Sequence, residues 1–143
     1  MLCSSLSRMA KKLKKPLHKH LLINGETTNP PKSKRALKKW LKTLVHDIGM
    51  YRIGGPFVRY VKAPGNKGLT AVVMIETSHI ALHIWEEGPK PYFRFDLYTC
   101  GSLHHKTVIK QVARFLSAKN MEWVAYDREK GFLKYDNGIQ SVH

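Results

Sequence analysis

Within the twenty-five residues from Thr77 to Gly101 the chain places a serine, two histidines, a glutamate pair and a cysteine. The runs are Thr77-Ser78-His79-Ile80-Ala81-Leu82-His83-Ile84-Trp85-Glu86-Glu87 and Phe95-Asp96-Leu97-Tyr98-Thr99-Cys100-Gly101. A serine hydroxyl becomes a nucleophile only with a base beside it, and histidine is the side chain that exchanges a proton near neutral pH. Ser78 and His83 are therefore the pair to follow, and with Asp96 they supply the residue types of a hydrolytic triad. The Gly-x-Ser-x-Gly elbow of such hydrolases is missing, as are GxxxxGK[ST] and GxGxxG phosphate loops. Histidines recur in close pairs (His18/His20, His79/His83, His104/His105) without Cys-x-x-Cys or His-Glu-x-x-His spacing, so no metal is expected. Taken singly, each residue reads as ordinary: a sheet histidine, a buried Cys100, a core Trp85, a structural Asp96. Their joint order is the informative feature.

The elements that position these residues read mainly as strands. Leu69 to Glu76, Ile80 to Trp85 and Tyr92 to Cys100 are apolar or alternating runs that form the centre of a sheet. A first strand is expected over Leu17 to Ile23, punctuated by Asn24-Gly25 and Pro30-Pro31, and Tyr51 to Val61 reads as a bulged strand or two short ones around Gly54-Gly55-Pro56. Ser33 can cap a helix whose stripe of Leu37, Trp40, Leu41, Leu44, Val45 and Ile48 packs on the sheet, with Gly49 as its stop. Val108, Val112, Phe115 and Leu116 mark a second helix within Leu103 to Ala118, and Met121 to Tyr126 closes with a strand. This order predicts an α+β two-layer sandwich, an antiparallel sheet covered on one face by two helices.

The 143 residues fit one domain, assigned to 16–143 and preceded by a basic, flexible leader over 1–15. No run of about eighteen apolar residues and no secretory leader is present, which predicts a soluble cytoplasmic protein without a membrane partner. Cys3 and Cys100 do not make a disulfide framework, and reduced thiols are expected. The net charge of +15 points towards a polyanion, with nucleic acid a weak partner through the leader. Twelve of the 25 basic residues lie between Arg8 and Lys42, where Glu26 is the only acid. The segment from Leu69 to Gly101 instead carries Glu76, Glu86, Glu87 and Asp96 against Lys90 and Arg94, so the working part is locally acidic.

The two motif runs resemble the bacterial-type pyruvoyl-dependent S-adenosylmethionine decarboxylases, with their Glu-Ser-His-hydrophobic-x-hydrophobic-His-Thr-Trp-Pro-Glu and Asp-hydrophobic-aromatic-Thr-Cys-Gly patterns. Gly68 to Ile75 resembles the strand that precedes the serine in that family. The resemblance implies self-cleavage between Thr77 and Ser78, by attack of the serine hydroxyl on the preceding carbonyl, and a pyruvoyl cofactor derived from Ser78. It implies His83 as the base that takes the serine α-proton, brought back beside Ser78 if a turn intervenes, and Thr70 as a hydroxyl that assists processing. Condensation of the pyruvoyl ketone with the substrate amine then draws electrons from the carboxylate bond. Cys100 would protonate the product and Glu87 would help bind substrate, with Trp85 and Tyr98 as ring partners for a sulfonium. A homodimer, its sheet face closed by a second copy, is implied as well.

Departures from the pattern matter. Thr77 stands where the family has glutamate, with Glu76 one position earlier and so expected on the other face of a strand. Ile84 and Glu86 replace the family's threonine and proline, Ser102 its aspartate, and Ala71 a glycine; two residues are added near Gly88 to Pro91. Three readings follow: a self-processing decarboxylase of S-adenosylmethionine that supplies the aminopropyl donor for spermidine; a pyruvoyl decarboxylase of arginine or ornithine; and a non-processing relative that binds a ligand or partner.

Overall fold

The computed structural model describes residues 15–141. Nine elements follow in the order β1 (Lys19–Thr27), α1 (Lys34–Asp47), β2 (Arg52–Val61), β3 (Gly68–Ile75), β4 (Ser78–Trp85), β5 (Tyr92–Thr99), α2 (His105–Phe115), β6 (Ala118–Asp127) and β7 (Leu133–Ser141). Every strand pairing is antiparallel, and the seven strands stand in the order β2-β3-β4-β5-β1-β6-β7. Both helices pack on one face, as the α+β sandwich requires. Alternation sends Leu21, Ile23, Val73, Ile75, Ile80, Leu82, Phe93, Phe95 and Leu97 towards the helices, where Leu37, Leu41, Leu44, Val108 and Val112 complete a fully buried core. Ser33 caps α1 through its hydroxyl, which accepts from the Ala36 N–H at 3.1 Å. A parallel stack of Trp40 on Phe115, centroids 4.4 Å apart, ties the two helices together.

Two features differ from what the sequence alone predicts, the end of β1 and an added edge strand. Asn24-Gly25 does not end β1. A Cβ at Gly25 would stand 2.3 Å from the Phe93 ring, so glycine is there to admit an aromatic from β5 within a continuing strand. Of the two forms expected around Gly54 to Pro56 the bulged strand is the one present, a single strand with shifted register between Arg52 and Phe57. A seventh strand, β7, extends the sheet beyond β6. It lies at the edge and is exposed along most of its length, so its residues lack the buried alternation by which strands are recognised. The expected leader falls outside the described residues except for Lys15, which pairs with Glu129.

Among the described residues nothing covers the face opposite the helices. Across it the register aligns rows of side chains: Phe57, Val72, Ala81, Asp96, Leu22 and Val124 form a largely apolar one. On one side of it run Met74, His79, Tyr98, His20 and Tyr126; on the other run Thr70, His83, Arg94, Asn24 and Glu122.

Candidate active site

Ser78 opens β4, and Glu76-Thr77 form the two-residue turn of the β3–β4 hairpin, closed by the Ile75–Ser78 pair. Glu76 is thus a turn residue and not a strand residue on the far face. Ser78 has φ of 152°, a region that residues with a side chain rarely occupy and that costs on the order of 1–3 kcal/mol. The strain sits on the residue whose amide would be cut. The end of β5 clasps the same turn: the Cys100 N–H donates to the Thr77 carbonyl at 2.9 Å, and the Gly101 N–H donates to Thr99 Oγ1 at 3.0 Å. Thr77 is buried, and among the described residues its Oγ1 has no hydrogen-bond partner. The structure therefore holds the Thr77–Ser78 carbonyl against a fixed N–H donor, which is the geometry needed to stabilise an oxygen that gains charge during attack.

His83 is not beside Ser78. No turn intervenes; both lie on β4, five positions apart, about 16 Å at the usual strand rise. The odd separation also sends their side chains to opposite faces. His83 instead hydrogen-bonds through Nδ1 to Thr70 Oγ1, its cross-strand partner on β3. Trp85 follows on the same face, stacked on Tyr92 with centroids 4.8 Å apart, and its Nε1 donates to Asn66 Oδ1 at 3.3 Å. Thr70, His83, Trp85, Asn66 and Gly68 line a cleft of about 290 Å³. Gly68 (φ 147°) lets the chain cross here, because a Cβ would meet the Ile84 carbonyl oxygen at 1.9 Å. Next to the cleft Glu87 pairs with Lys67 at 3.5 Å, and Glu86 hydrogen-bonds to the Tyr60 hydroxyl, which holds that phenol's pKa above its ordinary value. Both glutamates keep a buried Oε2 without a hydrogen-bond partner among the described residues. One chain thus carries two separate groups, Ser78/Thr77/Cys100 at one end of β4 and Thr70/His83/Trp85/Glu87 at the other.

Cys100 is disulfide-bonded, in place of the reduced thiol expected, and a sulfur so bonded has no proton to give. A further network, built on Asp96 and two histidines, lies on the open face near the Ser78 end. Asp96 accepts from His20 Nε2 and has His79 Nε2 at 3.8 Å, and Arg128 Nη1 donates to His20 Nδ1 at 3.1 Å. An arginine can only donate, so Nδ1 of His20 is the acceptor and Nε2 carries the hydrogen given to Asp96. His18 bonds to the Tyr98 hydroxyl, and the Arg128 guanidinium lies 4.8 Å from the Tyr98 ring. His20 lies 57 residues before Thr77 and Arg128 lies 27 residues after Gly101, and the β5-β1-β6 pairing brings them to Asp96. Among the described residues no group of three or more His, Cys, Asp or Glu is placed to hold a metal ion, and no helix is long and apolar enough to cross a membrane.

A strained serine directly after a hairpin turn, clasped by a Thr-Cys-Gly strand end on a helix-backed antiparallel sheet, places the chain with the pyruvoyl-type decarboxylases. The S-adenosylmethionine decarboxylase family profile matches residues 19–129, and the chain belongs to that family, whose cofactor is a pyruvoyl group formed from a serine. An arginine decarboxylase proenzyme of Aeropyrum pernix is 32% identical over 83 residues, covering 55% of this chain. The match spans 60% of that relative's length.

Proposed function

We propose that this chain is a self-processing, pyruvoyl-dependent decarboxylase acting on S-adenosylmethionine. The observation that carries the proposal is the Thr77–Ser78 bond itself, with its strained serine and a carbonyl held by the Cys100 N–H. Ser78 Oγ attacks the Thr77 carbonyl carbon; the C–O bond forms as the C–N bond breaks and the Ser78 amine takes up a proton. The Cys100 N–H stabilises the oxygen during this step, and a backbone donor serves equally well whether residue 77 is threonine or glutamate. A base then removes the Ser78 α-proton as the Thr77 carboxylate leaves, and water releases the nitrogen as ammonia. A pyruvoyl group at Ser78 supplies a carbonyl that condenses with the substrate amine and accepts the electron pair freed as carbon dioxide departs. Trp85 offers a ring face for a cation, and Glu87 a carboxylate, while a reduced Cys100 supplies the proton to the product.

His83 reaches a serine only from another copy, so the base, with Thr70, Trp85 and Glu87, belongs to the second subunit of a homodimer. The exposed Phe57, Val72 and Met74 on the open sheet face give that dimer an apolar surface to bury. Arginine is the second substrate reading; the relative's name and the two carboxylate oxygens without a partner among the described residues, which suit N–H donors that a sulfonium lacks, support it. Mass spectrometry tests the processing step. Two fragments meeting at Thr77 and Ser78 are expected, with a single 16.4 kDa chain in Ser78→Ala. An uncut wild-type chain after long incubation would leave a ligand-binding relative instead. Release of labelled carbon dioxide from carboxyl-labelled S-adenosylmethionine or arginine decides the substrate.

A further inference from the structure

The layer that the proposed chemistry leaves unused is the helical one. α1 carries exposed cations at Lys34, Lys38 and Lys42, and α2 repeats the spacing with Lys106, Lys110 and Arg114. Four residues rise about 6 Å, so each helix presents a row of three evenly spaced positive charges. Arg35 and Lys39 add a second row on α1, also exposed. Asp47 is the one acid on either helix, and it accepts from Gln111 at 3.1 Å. Among the described residues none of the eight cations makes an ion pair with a carboxylate. Like charges four apart repel, and neither first turn holds an acid, so Lys34 and Arg35 oppose the dipole of their own helix. These placements weaken the helices that bear them.

We propose that the outer face of this helix layer docks on the phosphate backbone of a nucleic-acid duplex. Extended, regular rows of unpaired cations match a regular polyanion and not one compact anion. A membrane fits less well: among the described residues the large exposed apolar side chains all lie outside the two helices, which leaves the helices no apolar anchor for the acyl region. Single strands fit less well too, because the aromatic pair of the layer, Trp40 and Phe115, is part-buried and already stacked on itself, leaving no ring for a base. The contact is therefore to phosphates and is independent of base sequence. It does not rest on the decarboxylase proposal, and the helix layers stay outermost when two open sheet faces meet.

The test is fluorescence anisotropy of a labelled mixed-sequence DNA duplex with the full chain, across a salt series. Binding at low salt with a steep loss of affinity is expected. The triple variant Lys38→Gln/Lys42→Gln/Lys110→Gln should bind at least about tenfold more weakly and show a salt slope smaller by about three. Its arginine counterpart at the same positions should retain binding, and the glutamine variant should unfold at the same or a higher temperature, since repulsion has been relieved. A full chain that ignores the duplex, a glutamine variant that binds like wild type, or capture by phosphatidylserine vesicles in preference to the duplex overturns the proposal. So does loss of binding when only Lys11, Lys12 and Lys14 are changed to glutamine.

Discussion

Cys100 contributes two different atoms, and they belong to two different steps. Its backbone N–H, held 2.9 Å from the Thr77 carbonyl, is placed for cleavage, and its sulfur is the candidate acid for turnover. Cys100→Ala keeps the first and removes the second. The variant is therefore expected to cleave at close to the wild-type rate while its release of carbon dioxide falls by about 10²–10³ or its product partitions differently, the usual scale for a lost proton donor. Denaturing gels read the first quantity and labelled substrate the second; a variant that fails to cleave while folded would place the sulfur in processing. Because the sulfur is disulfide-bonded here, wild-type turnover should need a reductant and cleavage should not. At this scale the sequence was informative about residue types and silent about partners. Ser78, Cys100 and Thr77 come together because β4 and β5 pair in register, which short-range pattern does not encode, and the role of a main-chain N–H leaves no trace in side-chain identity.

Among the elements, β4 was legible as a strand, and that fact alone sets Ser78 and His83 on one extended segment about 16 Å apart; a turn between them has no Gly, Pro, Asn or Asp to support it. β1 and the helices were legible from their apolar periodicity, whereas β7 was not, because an edge strand with little buried surface needs no such periodicity. What holds β6 and β7 is partly charge. Asp127 accepts from Lys19 on β1 at 2.7 Å, and Asp136 on β7 pairs with His105 on α2 at 2.6 Å. Those hydrogen bonds hold both carboxyls below their ordinary range. A carboxyl whose folded pKa is depressed contributes stability that is fully present above the unfolded value, about 3.9, and is lost as pH falls through the lower folded value. The thermal midpoint should thus change little on account of these two groups between neutral pH and about 5, then drop below about 4. Hydrogen exchange should detect the loss first in β7 and the start of α2. Asp136→Asn should flatten the acid limb; an unaltered limb would remove that pair from the account.

For the whole molecule, the two groups on β4 raise a geometric question that one chain does not answer. A self-complementary dimer brings each surface to its own copy, so the Ser78 end of one subunit is offered the His83 end of the other. Cleavage at Thr77 also releases the new amino terminus from the hairpin that fixes it. The sequence resemblance implied a dimer; a sheet face that no described residue covers and the separation along β4 give that implication a physical reason. They also make it testable without a structure of the complex. Ser78→Ala retains His83 but no cofactor precursor, and His83→Ala retains Ser78 but no base, so each alone should be inactive. Mixed in equal amounts after subunit exchange, or co-expressed, half of the dimers are hybrids with one complete site each. Activity should return to about a quarter of wild type per subunit. Sedimentation of the mixture at the monomer mass, or no recovery from a mixture shown to contain hybrids, would mean that His83 is not the base and that the site is built within one chain.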